Sequence, residues 1–276
     1  MKIAAYQLLT GPDVQLNLEK VILGIEKAVD LGVQILAFPE GCLFGYCCSQ
    51  DYWDQMHPSI FKEAEDRISK LCLKYRIAIV IGSASFENGG WYNDLAIFDS
   101  DGVLKHRYAK TFLAGEKWCK NSQKKIPVVD LSGVPCSFII CHDIRYPELV
   151  RLPAAMGAQI CIFCSCESNL LDEHKLSAYR AMPISRATES GIYLLMANTP
   201  GNPLNLADPG SSHGNSKIVD PDGNVILEAG YFENRLVMAD IDLNRSTGWV
   251  SKRVLKEKTQ LQEWFYKGVS ELVEKI

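Results

Sequence analysis

Hydrophobic and polar residues follow two patterns in the first third of the chain. Apolar residues from Gln15 to Leu31 recur at steps of three and four, which predicts an amphipathic helix that Gly32 ends. A second helix is predicted over about Ser59–Tyr75. Buried strands are predicted by short apolar runs at Lys2–Leu8, Val33–Phe38 and Ile77–Gly82. Strands that alternate with helices indicate a parallel sheet with helices packed against it.

Beyond residue 90 the pattern changes to pairs of strand-like runs joined by Asp-Gly. This dipeptide is a strong hairpin signal, and it occurs at Asp101-Gly102 and again at Asp222-Gly223. The two hairpins mark similar units in the two halves of the chain. The elements predicted between them are strands Cys136–Cys141, Gln159–Cys164 and Ile192–Ala197 and helices after Pro147 and around Leu176–Glu189. We therefore expect a mixed sheet folded as two layers.

The whole chain, residues 1–276, is expected to form one domain. A hydrophobic content of 47% supplies a full core, and no linker, low-complexity tract or charge block divides the chain. Apolar residues at helical spacing from about Val254 to the end predict a last amphipathic helix over about 254–276. That helix is a candidate for a subunit interface.

Charge and hydropathy exclude several classes of partner. The formal net charge is -4, with Lys and Arg scattered among Asp and Glu, so the chain lacks the basic stripe that nucleic acid or anionic lipid requires. It has no apolar run of the roughly 18 residues that a membrane span needs, and its first residues lack the regions of a signal peptide. The expected partner is a small molecule, and the expected compartment is the cytoplasm.

Ten cysteines raise the question of disulfides and metal binding. Disulfide frameworks belong to short secreted chains, so we expect free thiols. Cys161, Cys164 and Cys166 offer three thiols at close spacing, but the first two fall in a predicted buried strand, and no second Cys or His pair stands at structural-zinc spacing. We expect no metal site and no cofactor.

Three side chains that could take part in catalysis stand where predicted strands end. Glu40 follows the strand that ends at Phe38, Lys110 follows the second strand of the first hairpin, and Cys141 closes a strand of its own. Ligand sites form at strand ends on one edge of an α/β sheet. Each residue alone is a weak indication, because a Glu after a strand usually faces solvent and a Cys in an Ile-rich strand is usually a small core residue.

The flanking residues strengthen the case. The stretches Phe38-Pro-Glu40, Tyr108-Ala-Lys110-Thr-Phe-Leu and Ile140-Cys-His-Asp-Ile-Arg-Tyr-Pro-Glu148 resemble, in order and separation, the three signatures of the nitrilase superfamily, also called the carbon–nitrogen hydrolases. The resemblance extends across nearly the whole chain. It implies a four-layer α-β-β-α sandwich with two mixed β-sheets, assembled as a homodimer or a higher homo-oligomer.

The resemblance also implies a mechanism based on a Glu-Lys-Cys triad. A free thiol is only a few per cent thiolate at neutral pH, so a nucleophilic Cys141 needs a neighbouring base or cation. Glu40 is expected to take the thiol proton, while Lys110 and the backbone N–H of His142 stabilise the oxyanion. Water activated by the same carboxylate then hydrolyses the thioester.

A second glutamate often supports the family's site just after the lysine, and Glu116 is the acidic residue in that segment. We expect it to position the triad, with a solvated loop residue beside Lys117 as the alternative. Two departures from the family leave the subfamily open, since Ala109 stands where Arg is common and Phe112 where His is common.

Loops that follow the motif-bearing strands are expected to line the pocket. Arg145 either binds a substrate carboxylate or pairs with a buried acid such as Glu148 or Glu189, and both interpretations stay open. For Tyr46 and Trp118 the alternative is ordinary packing. The expected substrate-binding residues are Tyr46, Trp118, His142, Arg145, Cys166 and Asn198.

The residues after the nucleophile narrow the reaction. True nitrilases tend to carry Trp-Glu there, whereas His142-Asp143 resembles the amidase and carbamoylase branches, which favours a small amide or N-carbamoyl substrate. Nitrile hydrolysis by the same triad is one alternative. A catalytically silent scaffold is another, although it would have no reason to keep all three side chains. A papain-like protease signature and the G-x-G-x-x-G of a dinucleotide-binding oxidoreductase are both missing.

Overall fold

The computed structural model describes residues 1–167, 174–205, 207 and 211–276. Its strands, in chain order, are β1 (Lys2–Gln7), β2 (Ile35–Ala37), β3 (Ala78–Glu87), β4 (Gly90–Phe98), β5 (Leu104–Ala109), β6 (Ile126–Leu131), β7 (Val134–Ile140), β8 (Ile160–Ser165), β9 (Tyr193–Asn198), β10 (Lys217–Val219), β11 (Val225–Glu228), β12 (Arg235–Asp240) and β13 (Val273–Lys275). Its helices are α1 (Val14–Asp30), α2 (Gln50–Gln55), α3 (Pro58–Tyr75), α4 (Glu148–Met156), α5 (His174–Ser190), α6 (Trp249–Lys256) and α7 (Gln262–Leu272).

The long helices begin where the sequence supplies a cap. Asp13 accepts the backbone N–H groups of Gln15 and Leu16 at the start of α1, which satisfies donors that have no partner inside the helix. Pro58 occupies the first turn of α3, where its missing N–H costs nothing. Throughout the part of the chain that the structure describes, no helix has the length and apolar character to cross a bilayer.

The strands form two sheets with the same internal pattern. The first has the order β12-β1-β2-β3-β4-β5 and the second the order β11-β10-β9-β8-β7-β6-β13. In the first, β1, β2 and β3 are parallel, and β4 and β5 follow antiparallel. In the second, β7, β8 and β9 are parallel, and β10 and β11 follow antiparallel. The predicted similarity of the two halves and both predicted hairpins are therefore confirmed.

The two sheets pack face to face, with helices outside. Apolar side chains from both sheets meet between them, including Ile35 from β2 and Phe138 from β7. Helices α1 and α3 cover the outer face of the first sheet through residues such as Leu18 and Phe61, and α4 and α5 cover the outer face of the second. This is the four-layer α-β-β-α sandwich that the resemblance implied.

Strand β8 separates two of the three cysteines that were considered as metal ligands. Cys164 packs in the layer between the sheets, whereas Cys161 packs under the outer helices. Successive side chains of a strand point to opposite faces, so these two thiols lie on opposite sides of the sheet. Each of the ten cysteines is a free thiol.

The C-terminal segment differs from the single helix predicted over about 254–276. Helix α6 ends at Lys256, α7 runs only to Leu272, and the chain then pairs with β6 as β13, with Val273 opposite Ile126. Residues 257–261 contain no Gly or Pro, so the sequence carried no stop signal there. Pairing with a strand 147 positions earlier is a tertiary effect that local periodicity does not reveal.

A close backbone approach positions the turn that follows β2. The N–H of Gly82 in β3 donates to the carbonyl oxygen of Pro39, and the Gly82 carbonyl oxygen accepts the N–H of Leu43. A Cβ at residue 82 would collide with the Pro39 carbonyl oxygen and the Gly41 nitrogen. Only glycine lets β3 and this turn lie so close together.

Gly82→Ala is expected to lower the free energy of unfolding by about 2 kcal/mol or more, because backbone atoms on both sides must move. Urea unfolding followed by circular dichroism measures the change. Gly11→Ala is the matched control, since a Cβ at residue 11 meets no atom within 4 Å. Equal stability of the two variants would contradict this account.

Candidate active site

Glu40 lies at the end of β2, in the turn that β3 supports. Its side chain is 1% exposed. Oε1 accepts hydrogen bonds from Asn93 Nδ2 at 2.8 Å and from Lys110 Nζ at 2.7 Å, and Oε2 accepts the backbone N–H of Cys166 at 2.8 Å. These three donors come from different elements, so they fix the orientation of the carboxylate.

Lys110 follows β5 directly, and its side chain is fully buried. Its Nζ lies 2.7 Å from Glu40 Oε1 and 2.5 Å from Glu116 Oε1. Burial favours the neutral amine, but Glu40, the nearby Cys141 and Glu116 outweigh it and hold the pKa of Lys110 well above its usual value. The buried side chain is therefore an ammonium shared by two carboxylates.

The two carboxylates on this ammonium differ in their surroundings. Burial raises the pKa of Glu40, although Lys110 opposes the shift. For Glu116 burial acts in the same direction, but Lys110 and further hydrogen bonds bring its pKa below the usual value. Those bonds include Tyr46 Oη at 2.9 Å and the backbone N–H of Ala114 at 2.5 Å. Glu116 thus stays ionised, while Glu40 is the carboxylate that accepts a proton more readily.

Cys141 follows β7 and begins a 3-10 turn over Cys141–Arg145. Its φ of 45° lies in the left-handed region that few residues other than glycine adopt. Sγ lies 3.5 Å from Glu167 Oε2 and 3.8 Å from Tyr179 Oη. Burial raises the pKa of the thiol well above its usual value, and Glu40 adds to the shift, while Lys110 opposes it. The thiol is therefore protonated and needs a base to become a nucleophile.

Asp143 ties the Cys141 turn to the segment around Lys110. Its buried carboxylate accepts the backbone N–H of Ile140 at 3.1 Å, the N–H of Phe112 at 2.8 Å and the Tyr108 hydroxyl at 2.9 Å. Ile140 adjoins Cys141, and Tyr108 and Phe112 lie on either side of Lys110. Asp143 therefore links the segments that carry these two catalytic residues. The sequence does not reveal this role of Asp143, because two of its partners, the Phe112 N–H and the Tyr108 hydroxyl, lie more than 30 residues earlier in the chain.

The structure brings some of the expected pocket residues to this site. Tyr46 contacts Glu116, and Cys166 contributes its backbone N–H to Glu40. His142 is half-buried beside the thiol, and burial together with Arg145 lowers its pKa. Arg145 itself is exposed.

Other expected residues have structural contacts. The Trp118 ring stacks on Trp53, with centroids 3.7 Å apart and planes 3° from parallel. Asn198 is fully buried, and it donates to the Gly214 carbonyl oxygen and accepts from the Ser212 hydroxyl. Trp118 therefore belongs to an aromatic cluster. Asn198 stabilises the loop before β10 through its hydrogen bonds.

The acid expected to pair with Arg145 has another partner. Glu189 lies 2.7 Å from Arg186, and Glu148 is exposed. The described contacts therefore give no support to the buried ion pair that was one interpretation of Arg145.

Sequence reasoning missed Glu167 and Tyr179, which contact the thiol, and His213, whose ring packs against that of Tyr179. Glu167 lies two residues after the end of β8, so the strand-end argument used for Glu40 could have found it. Tyr179 lies within α5, and His213 precedes β10 in an irregular segment. No local pattern marks these two, because only tertiary packing brings Tyr179 to the thiol and His213 to Tyr179.

Comparison with known proteins identifies the family that this geometry represents. The model of the carbon–nitrogen hydrolase family matches residues 2–250. The chain belongs to the carbon–nitrogen hydrolases. This carbon–nitrogen hydrolase is similar to a 2-oxoglutaramate amidase of Bacillus subtilis, at 31% identity over 83% of this chain and 86% of the relative. It is also similar to an omega-amidase of Xenopus laevis, at 28% identity over 88% of each chain.

Solved structures of an amidase from Nesterenkonia sp. AN1 resemble the hydrolase over most of its length. A mutant with its cysteine replaced by serine matches with a TM-score of 0.79 at 27% identity, over 96% of this chain and 97% of that one. A glutamate-to-glutamine mutant that carries the acetamide moiety of fluoroacetamide on its active-site cysteine matches with a TM-score of 0.78 at 28% identity, over 90% and 92% of the two chains. The chain is thus an enzyme of the carbon–nitrogen hydrolase family, similar over most of its length to proteins named amidases.

The variant Asp143→Asn tests how the buried Asp143 carboxyl group changes the stability of this hydrolase with pH. Burial raises the pKa of Asp143 from 3.8 to about 6, so the folded state holds this proton more tightly than the unfolded state does. The resulting stabilisation is complete below pH 4 and is lost as the pH rises through 6. The free energy of unfolding of the wild type minus that of the variant should therefore fall by about 2 kcal/mol between pH 4 and 7.

Urea titrations of both proteins at several pH values measure this difference. A difference that stays constant, or rises with pH, would show that the Asp143 carboxyl is not the group that titrates.

Proposed function

We propose that this enzyme hydrolyses a small carboxamide through a thioester on Cys141 and releases ammonia. The observation that carries the proposal is the buried Lys110 ammonium, held between Glu40 and Glu116. This ammonium opposes the rise that burial causes in the pKa of the Cys141 thiol. The named activities of the relatives support the proposal, as does the adduct on the cysteine of the Nesterenkonia amidase.

In the first step the thiol proton passes to Glu40 as Cys141 Sγ bonds to the amide carbon. Glu40 is the base because its raised pKa brings it toward the pH at which it must accept a proton. The carbonyl electron pair moves to oxygen, where the Lys110 ammonium and the backbone N–H of His142 stabilise the negative charge. The C–N bond then breaks, Glu40 returns the proton to nitrogen, and ammonia leaves.

In the second step water attacks the thioester carbon. Glu40 takes one proton from the water as the new C–O bond forms, and the same oxyanion donors act again. The C–S bond then breaks, and the proton returns from Glu40 to Sγ, so the enzyme is restored. Glu116 does not transfer a proton in this scheme, because its lowered pKa keeps it ionised. Its role is to hold the ammonium between two charges.

A second candidate substrate class is an N-carbamoyl compound. The His142-Asp143 sequence after the nucleophile resembles the amidase and carbamoylase branches alike, and the chemistry of attack at a ureido carbonyl uses the same groups. The similarity to proteins named amidases favours the carboxamide. It also argues against nitriles, and the complete triad argues against a silent scaffold.

We further propose that the enzyme works in the cytoplasm as a homo-oligomer. The ten free cysteines suit a reducing compartment. Helices α6 and α7 and the link between them expose several large apolar side chains, among them Trp249, Leu261, Trp264 and Tyr266, each more than half exposed. Such a patch is typical of a subunit interface.

Cys141→Ala should lower ammonia release from a simple amide by a factor of about 10⁴ or more, because no other group forms the acyl-enzyme. Mass spectrometry of quenched wild-type enzyme should show one acyl group on the peptide that contains Cys141. Cys72→Ala is the matched control, since Cys72 lies on the buried face of α3. Retained turnover in Cys141→Ala would contradict the thioester mechanism.

Trp264→Glu should shift the enzyme from dimer to monomer, because a charge would be buried at the interface. Light scattering during gel filtration measures the mass. Leu204→Glu is the control, since Leu204 is 94% exposed in a loop distant from α7 in the chain. A wild-type protein that is monomeric at micromolar concentration would contradict the proposed assembly.

A further inference from the structure

Ser165 is the last residue of β8, and it lies next to the nucleophile. In the parallel pairing of β7 with β8, Ile140 lies opposite Cys164. The next residues are Cys141 and Ser165, so the nucleophile and this serine follow neighbouring strands at the same level. The Ser165 side chain is fully buried, and its Oγ has no hydrogen-bond partner among the residues that the structure describes. Buried hydroxyls nearly always have a partner in native proteins, and an acceptor that forms only during the reaction would supply one.

The Ser165 hydroxyl and the thiol lie on the same face of the second sheet. Side chains alternate along a strand, so Ser165 shares the face of Cys161, which packs under the outer helices. Cys141 Sγ reaches this face as well, because it lies 3.8 Å from the Tyr179 hydroxyl on α5. The Ser165 hydroxyl also opposes the rise that burial causes in the pKa of Cys141. A hydroxyl has this effect on a thiol when it donates a hydrogen bond to the thiolate form.

The sulfur carries negative charge at two points of the reaction. The first is the transfer of the thiol proton during attack, and the second is the breaking of the C–S bond in the second step. The charged and titratable groups that act on Cys141 are Glu40, Tyr46, Lys110, Glu167 and Tyr179. The carboxylates among them disfavour the thiolate, so the sulfur needs a donor.

The other donors near the sulfur have acceptors of their own. The Lys110 ammonium is held by Glu40 and Glu116, and in the proposed mechanism it also stabilises the oxyanion. The Tyr179 hydroxyl has one proton and interacts with the Glu167 carboxylate as well as with the thiol. A carboxylate is the stronger acceptor of that proton. Ser165 therefore offers the sulfur a donor that the described contacts do not engage.

We propose that Ser165 Oγ–H donates a hydrogen bond to Cys141 Sγ while the sulfur is negatively charged, and that Ser165 is thereby a further residue of the catalytic machinery. The proposal rests on the proposed thioester mechanism. The proton stays on Ser165 throughout, so the bonds formed and broken in both steps are unchanged. A hydrogen bond to an ion is stronger than one to a neutral group, so Ser165 stabilises the charged sulfur more than the resting thiol and lowers the barrier.

A second serine–thiol pair without a nucleophile supplies the matched control. Ser137 in β7 lies opposite Cys161 in β8. The Ser137 side chain is also fully buried, and within the described ranges its Oγ has no hydrogen-bond partner. Its hydroxyl opposes the rise in the pKa of Cys161, as that of Ser165 does for Cys141. Ser137→Ala therefore removes the same atom from the same kind of pair, at a thiol that takes no part in the reaction.

Alkylation by iodoacetamide reports on the Cys141 thiolate without amide hydrolysis. Sγ forms a bond to the reagent carbon and iodide leaves, and tandem mass spectrometry follows the modification at Cys141. Because the thiolate is the reactive form, Ser165→Ala should lower the rate constant at pH 7 by about tenfold, which corresponds to a rise of about one in the thiol pKa. Ser137→Ala should leave the rate constant within about twofold of the wild type.

Ammonia release from propionamide gives kcat and KM for the same proteins. Ser165→Ala should lower kcat/KM by about tenfold, mainly through kcat, because the hydrogen bond forms with the charged sulfur and not with the bound amide. Ser137→Ala should again stay within about twofold of the wild type.

Two results would overturn the role of Ser165. The first is an alkylation rate constant that is the same in Ser165→Ala and the wild type. The second is a loss of kcat/KM in Ser137→Ala as large as that in Ser165→Ala. A wild type that releases no ammonia from amides, while Ser165→Ala still slows alkylation, would instead contradict amide hydrolysis and leave the hydrogen bond to the sulfur standing.

Discussion

The buried ammonium of Lys110 is the interaction on which the rest of the site depends. It lies between Glu40 and Glu116, and all three side chains are removed from water. Isolated charges in such a place cost several kcal/mol each, and pairing offsets that cost only when the geometry is good. The arrangement therefore requires that β2, β5 and the loop after Lys110 be held to within a fraction of an ångström. The fold supplies this through β3, Asn93 and Asp143.

The two carboxylates that bind this ammonium have different roles. Glu116 receives additional donors and stays ionised, while Glu40 is more deeply buried and accepts protons more readily. The thiol of Cys141 is itself raised in pKa by burial. The thiol is protonated at rest, and a base lies in the same buried site. The thiol proton is therefore transferred as Sγ attacks, which is general base catalysis.

The two-sheet architecture explains how distant segments meet. Each half of the chain contributes parallel strands followed by an antiparallel hairpin, and the sheets pack face to face through their apolar sides. Glu40 and Lys110 follow strands of the first sheet, whereas Cys141 and Glu167 follow strands of the second. The site therefore forms where strand ends of the two halves come together.

The sequence by itself determined the strand and helix order of the first half, both hairpins and the motifs that carry Glu40, Lys110 and Cys141, because these depend on local periodicity, turn residues and short-range spacing. It did not determine the role of Asp143, the placement of Tyr179 beside the thiol and of His213 beside Tyr179, the packing of Trp118, or the strand that replaces the end of the last predicted helix. Those features arise from contacts between residues far apart in the chain. Only the tertiary structure decides which side chains are buried next to one another. That shared burial causes the pKa shifts and sets the balance of charges in the site.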